Sequence, residues 1–342
     1  MSAVAAAAVS SLSAQVMRRW QAIDPLLPRP AAPQPGCGAA LVVAGASGQP
    51  AAIGVCEHWE GTPESLELTW GAARRYQLTA LTAGPDVGAA LDQLLSLWRA
   101  HLAGLPGTGD ADTAAVLTWA SRDIGGVRAL LRHGLGPLNV IAARPTSQAA
   151  GAALAAGAAL AAGAVPAAAA AGAAGAAPRD LPIRRAGPAD IDTVVRLGLE
   201  VIRFDAHFGG VAERPGTADA LRLEAAGLLA GPQPWTWLAE RDGAAIGMLA
   251  AERPEAAGWI APMVRRSPVA YLTLMFVLPG ERGSGVGAAL AAQLHREAEA
   301  AGVTVILLHY AQANPLSAPF WSQQGYRPLW TSWEARPAGT LR

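Results

Sequence analysis

The pentapeptide Val-Gly-Ala-Ala-Leu occurs twice in this chain, at Val87–Leu91 and at Val286–Leu290, and other fragments recur around it in the same order. Ahead of it, Leu78-Thr79-Ala80-Leu81 parallels Leu272-Thr273-Leu274-Met275. Behind it, Gly134 follows Asp123 by 11 positions, Gly325 follows Asn314 by 11, and each glycine opens Gly-x-x-Pro-Leu. Self-similarity that keeps its order over such distances means one fold used twice rather than one large fold. A length of 342 residues allows two domains that each bury a core. From Thr146 to Pro178 the chain is almost purely Ala and Gly. That run is long enough to span a bilayer, but Ala and Gly contribute little transfer free energy and Pro166 interrupts it. It reads as a flexible or partly helical linker. The expected division is therefore 1–145, a linker at 146–179, and 180–342.

Within the second half, Leu181–Ala186 reads as a strand, and Pro188-Ala189-Asp190 opens a helix with Ile191, Val194, Val195 and Leu199 at helical spacing. A second helix covers 217–229. Strands at 235–241 and 244–252 flank Asp242-Gly243, whose residues accept the positive φ of a tight hairpin turn. A strand at 269–277, a glycine loop, a helix to about Ala301, a strand at 303–311, a short helix at 317–324 and a strand at 326–334 complete it.

Composition narrows the partners. Formal net charge is zero and the pI is near neutral, which removes the electrostatic case for nucleic acid or an anionic membrane surface and favours a small-molecule or peptide partner. All 26 basic residues are Arg. Cys37 and Cys56 form no CxxC pair, and no His/Cys group has metal-ligand spacing, so neither a disulfide framework nor a metal is expected. Arg18 and Arg19 follow rather than precede the mild apolar N-terminal stretch, the reverse of a signal peptide; a reducing cytoplasm is the expected setting.

Arg282-Gly283-Ser284-Gly285-Val286-Gly287 lies between a strand and a helix. Glycines at a helix N-terminus suit a pyrophosphate, because bare amides approach closely and the helix dipole favours negative charge; Arg282 adds a forked cationic donor. Gly283-x-Gly285-x-x-Ala288 also fits a dinucleotide fingerprint. Against that, Leu278 to Arg282 separate strand from first glycine, and the next strand ends in Ala311-Gln312 rather than in an acid for a ribose. A Walker-type loop is excluded because the chain has no Lys.

Val277-x-Pro279-x-x-Arg282-Gly283-x-Gly285-x-Gly287 resembles the acetyl-CoA-binding motif of the GCN5-related N-acetyltransferase (GNAT) superfamily, and Asn314, Phe320-Trp321 and Gly325-Tyr326 resemble the motif that follows it. The similarity covers about Leu181 to Arg336. The resemblance implies an α/β (α+β) fold with two GNAT-like domains, each a mixed, mostly antiparallel sheet flanked by helices, and a splayed central strand pair in the second. It implies acetyl-CoA as cosubstrate, with its pyrophosphate on the amides of Gly283, Ser284, Gly285, Val286 and Gly287 beside Arg282. Pantetheine would lie on backbone groups of Met275, Phe276 and Val277, with Asn314 holding it and Trp321 walling the channel. An amine would then attack the thioester directly.

Trp321 stands where many family members place a proton-donating Tyr, and an indole N–H is too weak an acid for that task. No Glu lies on the strand Tyr271–Val277. The candidates for proton transfer are His309, Tyr310 and Glu240, or solvent; His309 and Tyr310 alternate in direction, so at most one faces the cleft. Asp205 and His207 are candidates for the acceptor site. The first copy is shorter by about five residues, those of the glycine loop, and Asp86 occupies the helix start, so it is expected not to bind the nucleotide. Three functions stay open: an active N-acyltransferase acting on an amine of unspecified identity, a non-catalytic acyl-CoA sensor, or a dinucleotide-binding enzyme.

Overall fold

The computed structural model describes residues 3–30, 38–45, 48–146 and 181–342. The expected linker, from residue 147 onward, and Cys37 lie outside the described residues. The chain divides into two compact units, Met1–Val140 with Ala311–Ala313 and Pro328–Arg342, and Ile141–Tyr310 with Asn314–Arg327. Each is a mixed, mostly antiparallel sheet with helices packed on it, as the resemblance implied.

The first unit begins with helix α1 (Ala3–Ile23), followed by β1 (Ala39–Ala44), β2 (Pro50–Glu60), β3 (Arg74–Thr82), α2 (Val87–Ala103), β4 (Thr113–Ala120) and α3 (Val127–Arg132). β1, β2 and β3 are antiparallel neighbours, and β3 runs parallel to β4 from Arg74↔Thr113 to Leu78↔Leu117. Helix α2 buries Leu91, Leu94, Leu95, Trp98 and Leu102 completely or nearly so, a stripe at helical spacing that packs on β1, β2 and β3. Each such side chain stabilises the unit by about 1.5–3 kcal/mol. Trp98 also donates its indole N–H to the Cys56 sulfur at 3.2 Å, and burial pushes that free thiol's pKa up. Core packing thus accounts for Trp98.

The second unit contains β6 (Ile183–Arg185), α4 (Ile191–Asp205), α5 (Thr217–Leu229), β7 (Thr236–Arg241), β8 (Ala244–Glu252), β9 (Val269–Val277), α6 (Val286–Ala300), β10 (Val305–Ala311) and α7 (Ser317–Gln323). The β7–β8 hairpin turns through Asp242 at φ 51° and Gly243 at φ 75°, the left-handed pair that Asp-Gly predicts. Gly198 of α4 faces Leu274 and Gly287 of α6 faces Met275. Successive strand residues point to opposite faces, so α4 and α6 cover opposite faces of β9.

The last strands depart from the sequence-order expectation. β11 (Arg327–Ala335) pairs antiparallel with β4, from Trp330↔Ala120 to Ala335↔Ala115, and Trp333, Ala335, Ala338 and Leu341 join the first unit's core. Conversely, Ile141–Pro145 of β5 (Gly136–Pro145) belong to the second unit, whose strand order is β5-β10-β9-β8-β7-β6. The compact units therefore do not end at 145 and begin at 180. The physical reason is the repeat itself: both strands enter through the same Gly-x-x-Pro-Leu, so local sequence does not distinguish which sheet each completes.

Candidate active site

β9 and β10 pair in parallel from Val269↔Val305 to Leu272↔Leu308, and there the ladder stops. On its other edge β9 pairs with β8, but the register jumps from Ala250↔Leu274 to Ala251↔Leu272, which leaves Thr273 as a bulge. A bulge bends its strand and raises the local twist. Here it turns β9 away from β10, so that past Leu272 the backbone edge carrying Met275, Phe276 and Val277 has no ladder partner on that side. The expected splayed pair is present.

Helix α6 starts just beyond the open edge. Gly283 has φ 80° and Gly285, its N-cap, φ 90°, both left-handed. No side chain caps the first turn, so its amides point outward without intrahelical partners. Ser284 donates to the Glu281 carbonyl at 2.6 Å, which closes the turn before the helix. A Cβ on Gly287 would lie 3.2 Å from the Phe320 ring and 3.6 Å from the Met275 methyl, so glycine there brings α7 and β9 close to the helix start. Arg282 is exposed; its Nε donates to the Val277 carbonyl at 3.2 Å and its guanidinium lies 4.8 Å from the Phe204 ring centre. Such an exposed contact is worth about 0.5–1 kcal/mol, a small barrier to swinging toward a phosphate.

On the α4 and α5 side of the sheet a second group assembles. Glu252 pairs with Tyr271 across β8–β9, and Tyr271 pairs with Leu307 across β9–β10, so all three project from one face, as does His309, two residues past Leu307. Tyr271 Oη and His309 Nδ1 are 3.0 Å apart. Trp259 lies edge-on to Tyr271 at 4.8 Å and parallel to His309 at 6.4 Å, and it donates its indole N–H to Glu252 at 2.8 Å. His309 is exposed on an otherwise buried strand, and desolvation by the side chains around it pushes its pKa down. Glu224 stands beside buried Leu221 and Ala225 on α5, a helix that packs on β8, the strand of Glu252, and desolvation and then repulsion from Glu252 push its pKa up to about 7. Burial likewise raises Glu252 and Tyr271.

Two other candidates come together. Asn314 is buried and donates to the Asp205 carboxylate at 3.0 Å, while its carbonyl accepts from Leu316 N at 3.0 Å. Burial pushes the Asp205 carboxyl up, against the Asn314 bond that favours its charged form. Trp321 is buried and packs edge-on against Phe320 and Tyr326. His207 is exposed and its Nδ1 lies 2.9 Å from the Arg203 carbonyl, folded back on its own helix. Tyr310 is buried, which raises its pKa. Glu240 is not in this group: its carboxylate is bound at 2.9 Å by Arg184, which also grips Asp190, at β6 on the sheet edge. A carboxylate engaged by a guanidinium there is unsuited to act as the base. Tyr271, Trp259, Glu252 and Glu224 were not singled out from sequence; strand register unites the first with Glu252, and only tertiary packing adds the others.

The first unit shows what replaces this arrangement. β3–β4 pairing also stops, at Leu78↔Leu117, but Asp86 caps α2 by accepting from Ala89 N at 2.8 Å. Arg19 of α1 donates to the Thr82 carbonyl at 2.6 Å and pairs with Asp123 at 3.1 Å. By the repeat, Thr82 corresponds to Phe276 and Asp123 to Asn314. A side chain of the protein's own first helix thus bonds a backbone carbonyl past the end of the β3–β4 ladder.

Residues 205–326, about a third of the chain, match the model of the acetyltransferase (GNAT) family. No curated protein matches the sequence. Among solved structures, a GCN5-related N-acetyltransferase from Sphaerobacter thermophilus is similar at 14% identity, over 95% of this chain and 85% of that one, with a TM-score of 0.48. A tandem GNAT protein from the clavulanic acid biosynthesis pathway is 15% identical over 95% of each chain, with a TM-score of 0.38. An aminoglycoside N-acetyltransferase in complex with CoA is 21% identical over 44% of this chain and 89% of that one, with a TM-score of 0.35.

Proposed function

From a chain whose residues 205–326 match the model of the acetyltransferase (GNAT) family, we propose a protein that transfers an acetyl group from acetyl-CoA to an amine by direct attack. The observation that carries this reading is the pairing of an unladdered β9 edge, opened by the Thr273 bulge, with the uncapped helix start at Gly285. Amides of Gly283, Ser284, Gly285, Val286 and Gly287, with Arg282, are the donors for the pyrophosphate. The free edge of Met275, Phe276 and Val277 offers ladder groups to the pantetheine amides, with Asn314 and Trp321 alongside. When bound, the cosubstrate supplies an activated thioester.

The protein's own residues then handle the proton. The amine nitrogen's lone pair attacks the thioester carbonyl carbon; the C–N bond forms, the C–S bond breaks, and the thiolate leaves with the electron pair and is protonated by solvent. The nitrogen's proton passes to His309. Its lowered pKa keeps the imidazole neutral at pH 7, and the nitrogen becomes acidic as it bonds to the carbonyl, so even a weak base suffices. In the tautomer whose Nδ1–H donates to the Tyr271 hydroxyl oxygen, Nε2 carries the lone pair that accepts. A cytoplasmic setting accords with this cosubstrate; among the described residues no helix is long and apolar enough to cross a membrane.

The test is thiol release from acetyl-CoA across an amine library, with thermal-shift titrations of acetyl-CoA, CoA and NAD. Acyl transfer predicts stabilisation by acetyl-CoA and CoA and amine-dependent thiol release. Stabilisation by NAD alone would overturn the reading. Tight CoA binding with no turnover would leave the sensor instead.

A further inference from the structure

We propose that the Trp259–Tyr271–His309 surface, with Glu252 and Glu224, is the acceptor subsite and that it selects an aliphatic amine bearing two ammonium groups. This rests on the acyl-transfer reading above and names its substrate class. Three rings meet here, Trp259 and His309 parallel within 8° and Tyr271 across them at 76° and 71°. Trp259 is 56% exposed, a large aromatic face open to solvent beside a reactive cleft. Aromatic faces attract organic cations through their quadrupole while their apolar area takes up a methylene chain.

The carboxylates supply the charge preference. Among the described residues Glu252 is tied only to the neutral indole of Trp259. Glu224 has neither an ion pair nor a hydrogen bond among the described residues, and each loses solvation to its surroundings. Two carboxylates on packed elements, α5 and β8, without a counter-ion are costly, and the cost falls when cations bind beside them. A monoamine neutralises one; a diamine neutralises both. Glu252 lies opposite Tyr271, whose hydroxyl meets His309, so a nitrogen held there, once its ammonium has lost one proton to solvent and regained its lone pair, stands beside the group that takes the second proton as it attacks.

The experiment compares initial rates for 1,4-diaminobutane and butylamine at saturating acetyl-CoA in the full-length protein, in wild type and in Glu224→Gln and Glu252→Gln. We expect kcat/KM for the diamine to exceed that for the monoamine by about tenfold or more, the value of one partly desolvated charge contact. Each Gln variant should remove most of that ratio, chiefly through KM, with the Kd for CoA unchanged. Equal kcat/KM for the two amines, or a ratio that both variants preserve, overturns the subsite. Calorimetric binding of each amine to the CoA-bound protein separates this from turnover. If no amine releases thiol but the diamine still binds more tightly and the variants abolish that preference, the subsite stands and the transfer reading falls; if neither amine is preferred in binding, the subsite falls.

Discussion

Replacing Gly285 by Asp would transplant the first unit's solution into the second. In the first unit Asp86 caps α2 through the Ala89 amide; in the second, Gly285 leaves the equivalent amides of α6 open. A carboxylate at the cap stabilises a helix by about 1 kcal/mol, and holding a non-glycine residue at left-handed φ costs about 1–2 kcal/mol. Asp242 already occupies that region, at φ 51°. The two effects nearly cancel, so the melting temperature should move by no more than about 5 °C. Binding is another matter. The new charge competes for the amides and repels each unit of phosphate charge at about 5 Å by roughly 3 kcal/mol at an effective dielectric of 20, falling to about half once solvent screening is counted. CoA affinity measured by calorimetry should therefore fall by about 10- to 150-fold. Gly280→Ala, where a Cβ meets nothing within 4 Å, is the matched control. A Gly285→Asp protein that binds CoA within about threefold of wild type would refute the assignment of these amides to the pyrophosphate.

Glu240→Gln should leave kcat and KM for acetyl transfer unchanged, since Arg184 already holds that carboxylate; a large loss of kcat would return Glu240 to the reaction. Arg19→Met strands the nearly buried Asp123 carboxylate and should destabilise the first unit by about 3 kcal/mol in denaturant unfolding, with Asp123→Asn in the same protein restoring most of it; CoA affinity should not change. His295 has its pKa lowered to about 3 by burial, with Arg144 and Arg296 adding to the effect. Above its ordinary value of 6.5 it is neutral folded and unfolded, and as pH falls toward 3 the unfolded chain takes the proton first, so stability is lost in that window. His295→Gln should lose less melting temperature between pH 7 and pH 4.5, by about 2–4 °C, and an identical decline in both proteins would contradict the linkage.

The second half was legible nearly element by element, because its helices and strands carry strong periodicity and its turns carry Asp-Gly and Gly-rich signals. The glycine loop and Asn314 were readable as well, being local motifs. What sequence order concealed was non-local. Trp330 and Trp333 look like the closing strand of the second copy, yet they pack in the first unit, since two near-identical strand entries fit either sheet. Glu240 stood among the candidates for proton transfer because its partner Arg184, 56 positions away, is not visible in the sequence. Glu224 and Trp259 lie on a helix and in a loop with no distinguishing motif; only the register of β8 with β9 and the packing of α5 bring them to Tyr271. The role of Arg19 was hidden for the same reason, since it meets Asp123 across more than a hundred residues.

The most direct test of the account is the stoichiometry of acetyl-CoA binding to the full-length protein by isothermal titration calorimetry. One open helix start at Gly285, and one closed by Asp86 with Arg19 bound to the Thr82 carbonyl, predict a single molecule bound per chain, weakened about 10- to 150-fold by Gly285→Asp and unaffected by Asp86→Ala. Two molecules per chain, none, or one that survives Gly285→Asp and disappears with Asp86→Ala would contradict it.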